Sequence, residues 1–310
     1  MRLFIIKKRE GYSTFFVKKV INKITLLFLM VMALSSVFTT MAAMNVHQTK
    51  VPINIDGIAN EISWQQVKWH HLTELMAGTQ PTANDFSGRF KILWDQNQLY
   101  ILAEIVDDKL FDQHSDPLEL YWDDDCLEIF IDENASGGNH QFNYNAFAYH
   151  IGLDNQAVDI GINNKDGSPN FVLLNDHIKS VWRHTRNKKL LNTNILTGQL
   201  SGDYIDQQVT KIVWEVAVRV YDDTFVYNSI SEQNKNTFIN PRNNPKNSYT
   251  SQPVILSLGK TIGFMLAYCD NDGSKIRESF IGSTPIKAVN GDKNLGYITA
   301  DVFDKIKLIK

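Results

Sequence analysis

An all-β chain, folded as a single antiparallel β-sandwich of the immunoglobulin or jelly-roll kind with long loops, is what the sequence predicts. Three observations predict it. Short runs rich in Val, Ile, Leu and aromatic residues alternate in polarity with the two-residue period of a half-buried strand. Turn-forming residues separate these runs. Helical periodicity over three turns is missing from residues 44–310, apart from a weak trace over Glu61 to Leu75. Many short strands with turns between them argue for two packed layers of sheet.

The elements follow in chain order. Arg89–Trp94 and Leu99–Val106 are separated by Asp95-Gln96-Asn97-Gln98, the polar spacing of a hairpin. Trp122–Asp132 is a third run. Gln141–Ile151 is a fourth, after the Gly-containing loop Glu133–His140. Lys211–Tyr221 alternates cleanly, with Ile212, Trp214, Val216, Val218 and Val220 on one face and Glu215 and Arg219 on the other. Thr261–Cys269 gathers Ile262, Phe264, Leu266 and Tyr268, and Lys305–Ile309 closes the chain. Asn163–Asn175 and Tyr227–Pro253 read as long loops, which in a compact domain carry function or disorder.

The 310 residues carry a formal net charge of -3 with 21% charged residues, values that exclude wholesale disorder. The absence of a basic excess argues against a nucleic-acid partner. The first 43 residues differ from the rest, holding seven bases and one acid (Glu10). An uncharged run from Ile24 to Phe38 follows the bases, and small residues follow it at Thr40, Ala42 and Ala43. A basic region, a short apolar core and an A-x-A-like site describe a signal peptide over 1–43, removed on secretion or on entry to a periplasm. Its apolar run is short for a membrane span of ~20 residues. Taking the leader's charges from the totals of 31 bases and 34 acids leaves 24 and 33, a net of -9. Residues 44–310 are expected as one acidic, monomeric domain that keeps no membrane contact after cleavage. Cys126 and Cys269 both lie in strand-like runs, where a disulfide and a pair of buried thiols are both open readings.

The densest chemistry lies in Trp122–Asp132. Alternation puts Leu127, Ile129 and Ile131 on the core face and Cys126, Glu128 and Phe130 on the other, joined by Trp122 and Asp124 if the strand starts early. Gln141, Asn143, Asn145, Phe147 and Tyr149 share a face of the next run, and in a hairpin its amides would neighbour Glu128. An indole, a carboxylate and amides together suit a sugar: the apolar ring face stacks, and the hydroxyls need directional donors and acceptors. A glycan hydrolase is the alternative, and it needs two carboxylates roughly 5–5.5 Å or 6.5–9.5 Å apart. Asp124 and Glu128 on one strand would be about 13 Å apart, which fits neither. Asp270-Asn271-Asp272-Gly273-Ser274 resembles the start of a calcium loop but departs from the EF-hand pattern, so a turn and a calcium ligand set both stay open.

These residues resemble the family 9 carbohydrate-binding modules, within a wider sandwich group related to DOMON domains. Ile55-Asp56-Gly57 through Glu61-Ile62-Ser63-Trp64 is similar to the family's opening, and Lys91–Asp95 with Leu99–Ala103 to its hairpin. Trp122–Asp132 resembles its acidic strand, Gln141-Phe142-Asn143 the strand after it, and Ile262-Gly263-Phe264 through Asp272 with Arg277-Glu278 its closing segment. The resemblance implies a non-catalytic sandwich that binds mono- or oligosaccharides, requires no cofactor, and in some members holds structural calcium. It implies Trp122 as a stacking platform, with Glu128, Asn143, Asn145 and Arg277 on the sugar hydroxyls. It also implies a second tryptophan after Arg277, where this chain reads Glu278-Ser279-Phe280-Ile281-Gly282-Ser283, with Phe280 as the substitute aromatic. DOMON relatives include haem binders, for which Met76 and Met265 would be candidate axial ligands.

Overall fold

The computed structural model describes residues 42–162, 166–184, 210–227 and 251–310. Residues 1–41 of the leader, 163–165 of the first long loop and 228–250 of the second lie outside them. In chain order the strands are β1 (Met44–Gln48), β2 (His70–Leu72), β3 (Glu74–Gly78), β4 (Phe86–Trp94), β5 (Leu99–Asp107), β6 (Cys126–Asp132) and β7 (Phe147–Gly152). They continue with β8 (Ala157–Ile162), β9 (Pro169–Leu173), β10 (Ile178–His184), β11 (Thr210–Val218), β12 (Thr261–Asp270), β13 (Ser279–Gly282) and β14 (Asp304–Ile309). No helix among the described residues is long and apolar enough to cross a membrane.

The chain is all-β, as its patterning predicts, but its strands join one continuous sheet rather than two. The order runs β10-β11-β5-β4-β1-β14-β12-β6-β7-β8-β9. The expectation of a purely antiparallel sandwich is corrected at β1, which pairs parallel with both β14 and β4. β1 comes from the N-terminal side and bridges strands from opposite ends of the sequence. The indole Nε1 of Trp94 reinforces that seam by donating to the Ile309 carbonyl at 2.9 Å. Inward positions of both halves merge in one core. Phe90, Ile92, Ile101, Trp214 and Val216 come from one half, and Ile129, Tyr149, Phe264, Leu266 and Ile306 from the other. Phe86 stacks on Tyr268 at 5.2 Å across this core.

Local chemistry explains the elements. The β4–β5 hairpin keeps Trp94 opposite Leu99. The Asp95 carboxylate closes its turn by accepting from the Asn97 and Gln98 amides at 2.8 and 3.0 Å. β11 turns Ile212, Trp214, Val216 and Val218 into the core, in the alternation read from sequence. Its outer face is covered as well. Glu215 accepts from the Gly57 amide at 2.8 Å and from the Trp64 indole at 3.1 Å, which seats the Ile55–Trp64 segment over the sheet. Gly57 has φ +74, and a Cβ there would lie 2.7 Å from Arg183 Cγ, so the turn needs glycine.

Three expectations are corrected. The weak helical trace over Glu61–Leu75 yields only α1 (Ile62–Gln65), after which the chain pairs as β2 on the edge of β4. A four-residue helix is too short to stand on local propensity, and sheet pairing takes over. The run Gln141–Ile151 is strand only from Phe147. Before it, the Asn143 carboxamide accepts from the Asn145 amide at 2.9 Å, an Asx turn that draws the backbone off the ladder. The loop expected over Asn163–Asn175 contains β9, which starts at Pro169 on the sheet edge, where a missing N–H is tolerated.

Candidate functional site

Pairing of β6 with β7 and with β12 builds the central cluster. Glu128 stands opposite His150, and Cys126 opposite Cys269. Glu128 is 2% exposed, because a second apolar cluster containing Phe130, Met265, Phe280 and Phe303 covers the outer face of β6. Three donors meet on its Oε1: His150 Nε2 at 2.9 Å, Cys269 Sγ at 2.9 Å and Arg277 Nη1 at 3.3 Å. Oε2 takes no protein partner among the described residues. The Arg277 guanidinium also donates to Cys269 Sγ at 3.0 Å and lies over the Phe280 ring, 4.2 Å from its centroid. Burial alone would push the Glu128 carboxyl up. His150, Arg277 and Cys269 outweigh it and hold the group below its ordinary value. His150 Nδ1 faces the Ala148 carbonyl at 3.1 Å, so both ring nitrogens meet acceptors.

Trp122 sits in a single 3-10 turn, Tyr121–Asp123, rather than on the strand. It is half-buried, with its ring edge-on to Tyr121 at 5.0 Å and tilted against Phe171 of β9 at 6.3 Å. Tyr121 in turn meets the His150 ring at 4.7 Å. The platform therefore reaches the Glu128 cluster through Tyr121 and His150. A shallow, open cleft adjoins them, lined by Tyr121, His150, Asp112, Asp124, Asp154 and Gln156. Asp124 is engaged within the protein, accepting from the Gln113 amide at 2.9 Å and meeting His114 Nδ1 at 3.0 Å.

Of the residues expected from sequence, Glu128 and Arg277 meet directly, and Trp122 is linked to them only through Tyr121 and His150. Phe280 joins them in another role. It is 1% exposed, so it offers no face to a ligand and instead supports the Arg277 guanidinium. Asn143 and Asn145 do not join. Asn145 Nδ2 donates to the Gly137 carbonyl at 2.9 Å and Asn143 Nδ2 to the Asn139 carbonyl at 3.4 Å, so both fasten the loop before β7. Asn145 precedes the start of β7 and has no place in the β6–β7 register, in which Glu128 pairs with His150. The place beside Glu128 belongs to His150. Sequence reasoning missed His150, Tyr121 and Phe171. His150 was readable: starting the alternation at Phe147 sends Phe147, Tyr149 and Ile151 to the core and His150 to the face of Glu128. Met76 and Met265 pack within the second apolar cluster.

A second group of residues is purely acidic. Ligand oxygens of Asp107, Asp125 and Asp270 lie within 4.8 Å of one another, and those of Asp85, Asp108 and Asp272 form a similar set. Asp107 accepts from the Lys109 amide and Tyr268 hydroxyl at 2.8 and 3.1 Å. Asp125 accepts from the Phe111 and Asn271 amides at 2.7 and 2.9 Å. Among the described residues, the Oδ1 atoms of Asp108, Asp270 and Asp272 are buried with no hydrogen-bond partner. Burial first, then mutual repulsion, pushes Asp107 and Asp270 up to about 8. All-oxygen donors with orphaned carboxylates fit a hard divalent cation such as calcium. The Asp270–Ser274 segment itself is a turn, closed by the Gly273 and Ser274 amides on Asn271 Oδ1 at 3.0 and 2.8 Å.

The family model described as carbohydrate family 9 binding domain-like matches residues 55–310. The chain is 34% identical over 90 residues to endo-1,4-beta-xylanase A of Thermotoga maritima and 40% identical over 90 residues to that of Thermotoga neapolitana. Each match covers 29% of this chain and only 8% of the xylanase. A family 9 carbohydrate-binding module from Caldicellulosiruptor kristjanssonii, solved in complex with cellotriose, superposes with a TM-score of 0.51 at 18% identity. That likeness covers 86% of this chain and 93% of the module and concerns the fold.

Proposed function

Because the chain belongs to the family 9 carbohydrate-binding modules, we propose that it binds sugar at the Trp122–Glu128 cluster without transforming it. The carrying observation is the one-sided use of Glu128. His150, Cys269 and Arg277 all converge on Oε1, which orients the carboxylate and leaves Oε2 for a ligand hydroxyl. Trp122 supplies the apolar face for a pyranose ring, with Phe171 set beside it at a tilt of 36°. Arg277, held on the Phe280 ring, donates to hydroxyls that Glu128 does not reach. The cluster is assembled before ligand arrives, so little conformational entropy is lost on binding.

The family supports a binding rather than a hydrolytic role. Glu128 is ion-paired and held below its ordinary value, so it is not set up as an acid that releases a proton to a leaving group. The basic, apolar leader supports export, and the domain would act as a monomer outside the cytoplasm. Sugar contact requires no cofactor. Structural calcium would be held by Asp107, Asp125 and Asp270, tying the ends of β5, β6 and β12 together. When bound, the ion supplies positive charge to carboxylates that otherwise repel.

The test is calorimetric titration of the protein with cellotriose and with glucose, alongside Trp122→Ala and Glu128→Gln. Binding lost or strongly weakened in both variants is expected. Wild-type affinity in Trp122→Ala would place the site elsewhere.

A further inference from the structure

Cys126 and Cys269 are both 0% exposed and face each other in the β6–β12 register. Directly opposed residues of an antiparallel pair have Cα atoms about 4.5 or 5.5 Å apart. Both spacings fall within the roughly 4.4–6.8 Å that a disulfide spans. Both side chains belong to the same apolar cluster, so they point to the same side of the sheet. With Glu128 they also form a set that could ligate a metal. Arg277 argues against that use, since its guanidinium lies 3.0 Å from Cys269 Sγ and already supplies the positive charge there.

We propose that Cys126 and Cys269 close a disulfide when the chain folds in an oxidising medium, and that closing it removes one of the three donors on Glu128 Oε1, which strengthens the carboxylate as an acceptor for a ligand hydroxyl at Oε2. In the free-thiol form Cys269 S–H donates to Glu128 Oε1 at 2.9 Å. The disulfide has no S–H, so Oε1 keeps only His150 and Arg277. The chemistry is two successive thiol–disulfide exchanges. Two protein thiols and one small-molecule disulfide give the protein disulfide and two small-molecule thiols, and the two thiol protons pass to the released thiolates. Burial pushes both thiols above their ordinary range, so exchange belongs to folding, before β12 docks on β6. The inference rests on the proposed export for its medium and on the proposed sugar site for its effect on affinity.

The full chain is unfolded and refolded with oxidised glutathione or, in parallel, with a reductant. Free thiols are then counted in denaturant, tryptic peptides are mapped without reduction, and cellotriose affinity is measured. The expected result is no free thiol after oxidation, one peptide linking Cys126 to Cys269, and a Kd about fivefold lower than in the reduced form, the scale of one hydrogen bond strengthened at Oε2. Cys126→Ser should bind like the reduced form after either treatment. Two free thiols after oxidative refolding, or a separate glutathione adduct on each cysteine, overturns the disulfide. A linked peptide with unchanged Kd overturns the coupling to Glu128. If neither form binds any sugar, the sugar-site reading has failed, and the linked peptide still decides the disulfide.

Discussion

Removing divalent cations should make the protein less stable as pH rises from 5 to 7, the reverse of ordinary carboxylate behaviour. Asp107 and Asp270 sit at about 8 in the folded chain, and Asp125 is raised beside them by burial and by their charges. A carboxyl raised on folding binds a proton that the unfolded chain has already lost above about pH 4. Its contribution is therefore complete below the unfolded value and disappears as pH climbs through about 8. Each group that keeps its proton over this range contributes about 1.4 kcal/mol per pH unit, hence about 3 kcal/mol between pH 5 and 7 from one such group alone. Asp112, also raised to about 8, steepens the trend. The assay is urea unfolding followed by tryptophan fluorescence at pH 5, 6, 7 and 8, in chelator and in excess calcium. In chelator the unfolding free energy should fall with pH. In calcium it should be flat or rise, because the ion replaces the proton. Asp270→Asn should flatten the chelator series. Stability that is flat or rising between pH 5 and 7 in chelator would refute the account of this cluster as a proton-holding, cation-ready set.

Trp122→Ala should weaken cellotriose binding about tenfold or more, from roughly 1.4 kcal/mol of lost apolar contact, while moving the melting temperature little. Arg277→Met leaves Glu128 buried beside one fewer cation and should lower unfolding free energy by about 3–5 kcal/mol, read by urea titration. Glu128 is held below its ordinary value, so its stabilisation is complete above the ordinary carboxylate range and is lost as pH falls through the depressed folded value. Acid titration of the wild type against Glu128→Gln should accordingly diverge only at the acid end. Asn145→Ala should leave sugar affinity unchanged and cost about 1 kcal/mol of stability through the lost bond to Gly137.

What could be read from the sequence was what depends on neighbours in the chain. The inward run Ile212, Trp214, Val216 and Val218 and the Asp95 turn are period-two and turn chemistry, and both appear as expected. The bridging role of β1 was not legible. Five residues, Met44–Gln48, take parallel partners at Ile306 and Leu93, and nothing local distinguishes that strand from any other. β2, β3 and β13 are similarly short and depend on partners distant in sequence, Gly282 pairing with Glu74 for example.

The site divides along the same line. The contact between Glu128 and Arg277 was legible because each lies within a recognisable run. Asn145 was misplaced because an Asx turn, which no alternation rule anticipates, ends where β7 begins, so His150 holds the place beside Glu128. The missing second tryptophan now has a structural consequence. Phe280 is buried under Arg277, and Phe171 meets Trp122 at 36°, so these two half-buried rings are tilted to one another and are not two parallel walls. A parallel clamp holds a ring by both faces and admits a chain only where both faces are free. A bent platform touches one face and places no such limit on the rest of the chain. Affinity must then come from the hydroxyl edge, from Glu128 and Arg277, more than from stacking. On that reasoning Glu128→Gln should weaken binding at least as much as Trp122→Ala in the same titration, and a clearly larger effect of the tryptophan would mean that a second stacking surface completes the site.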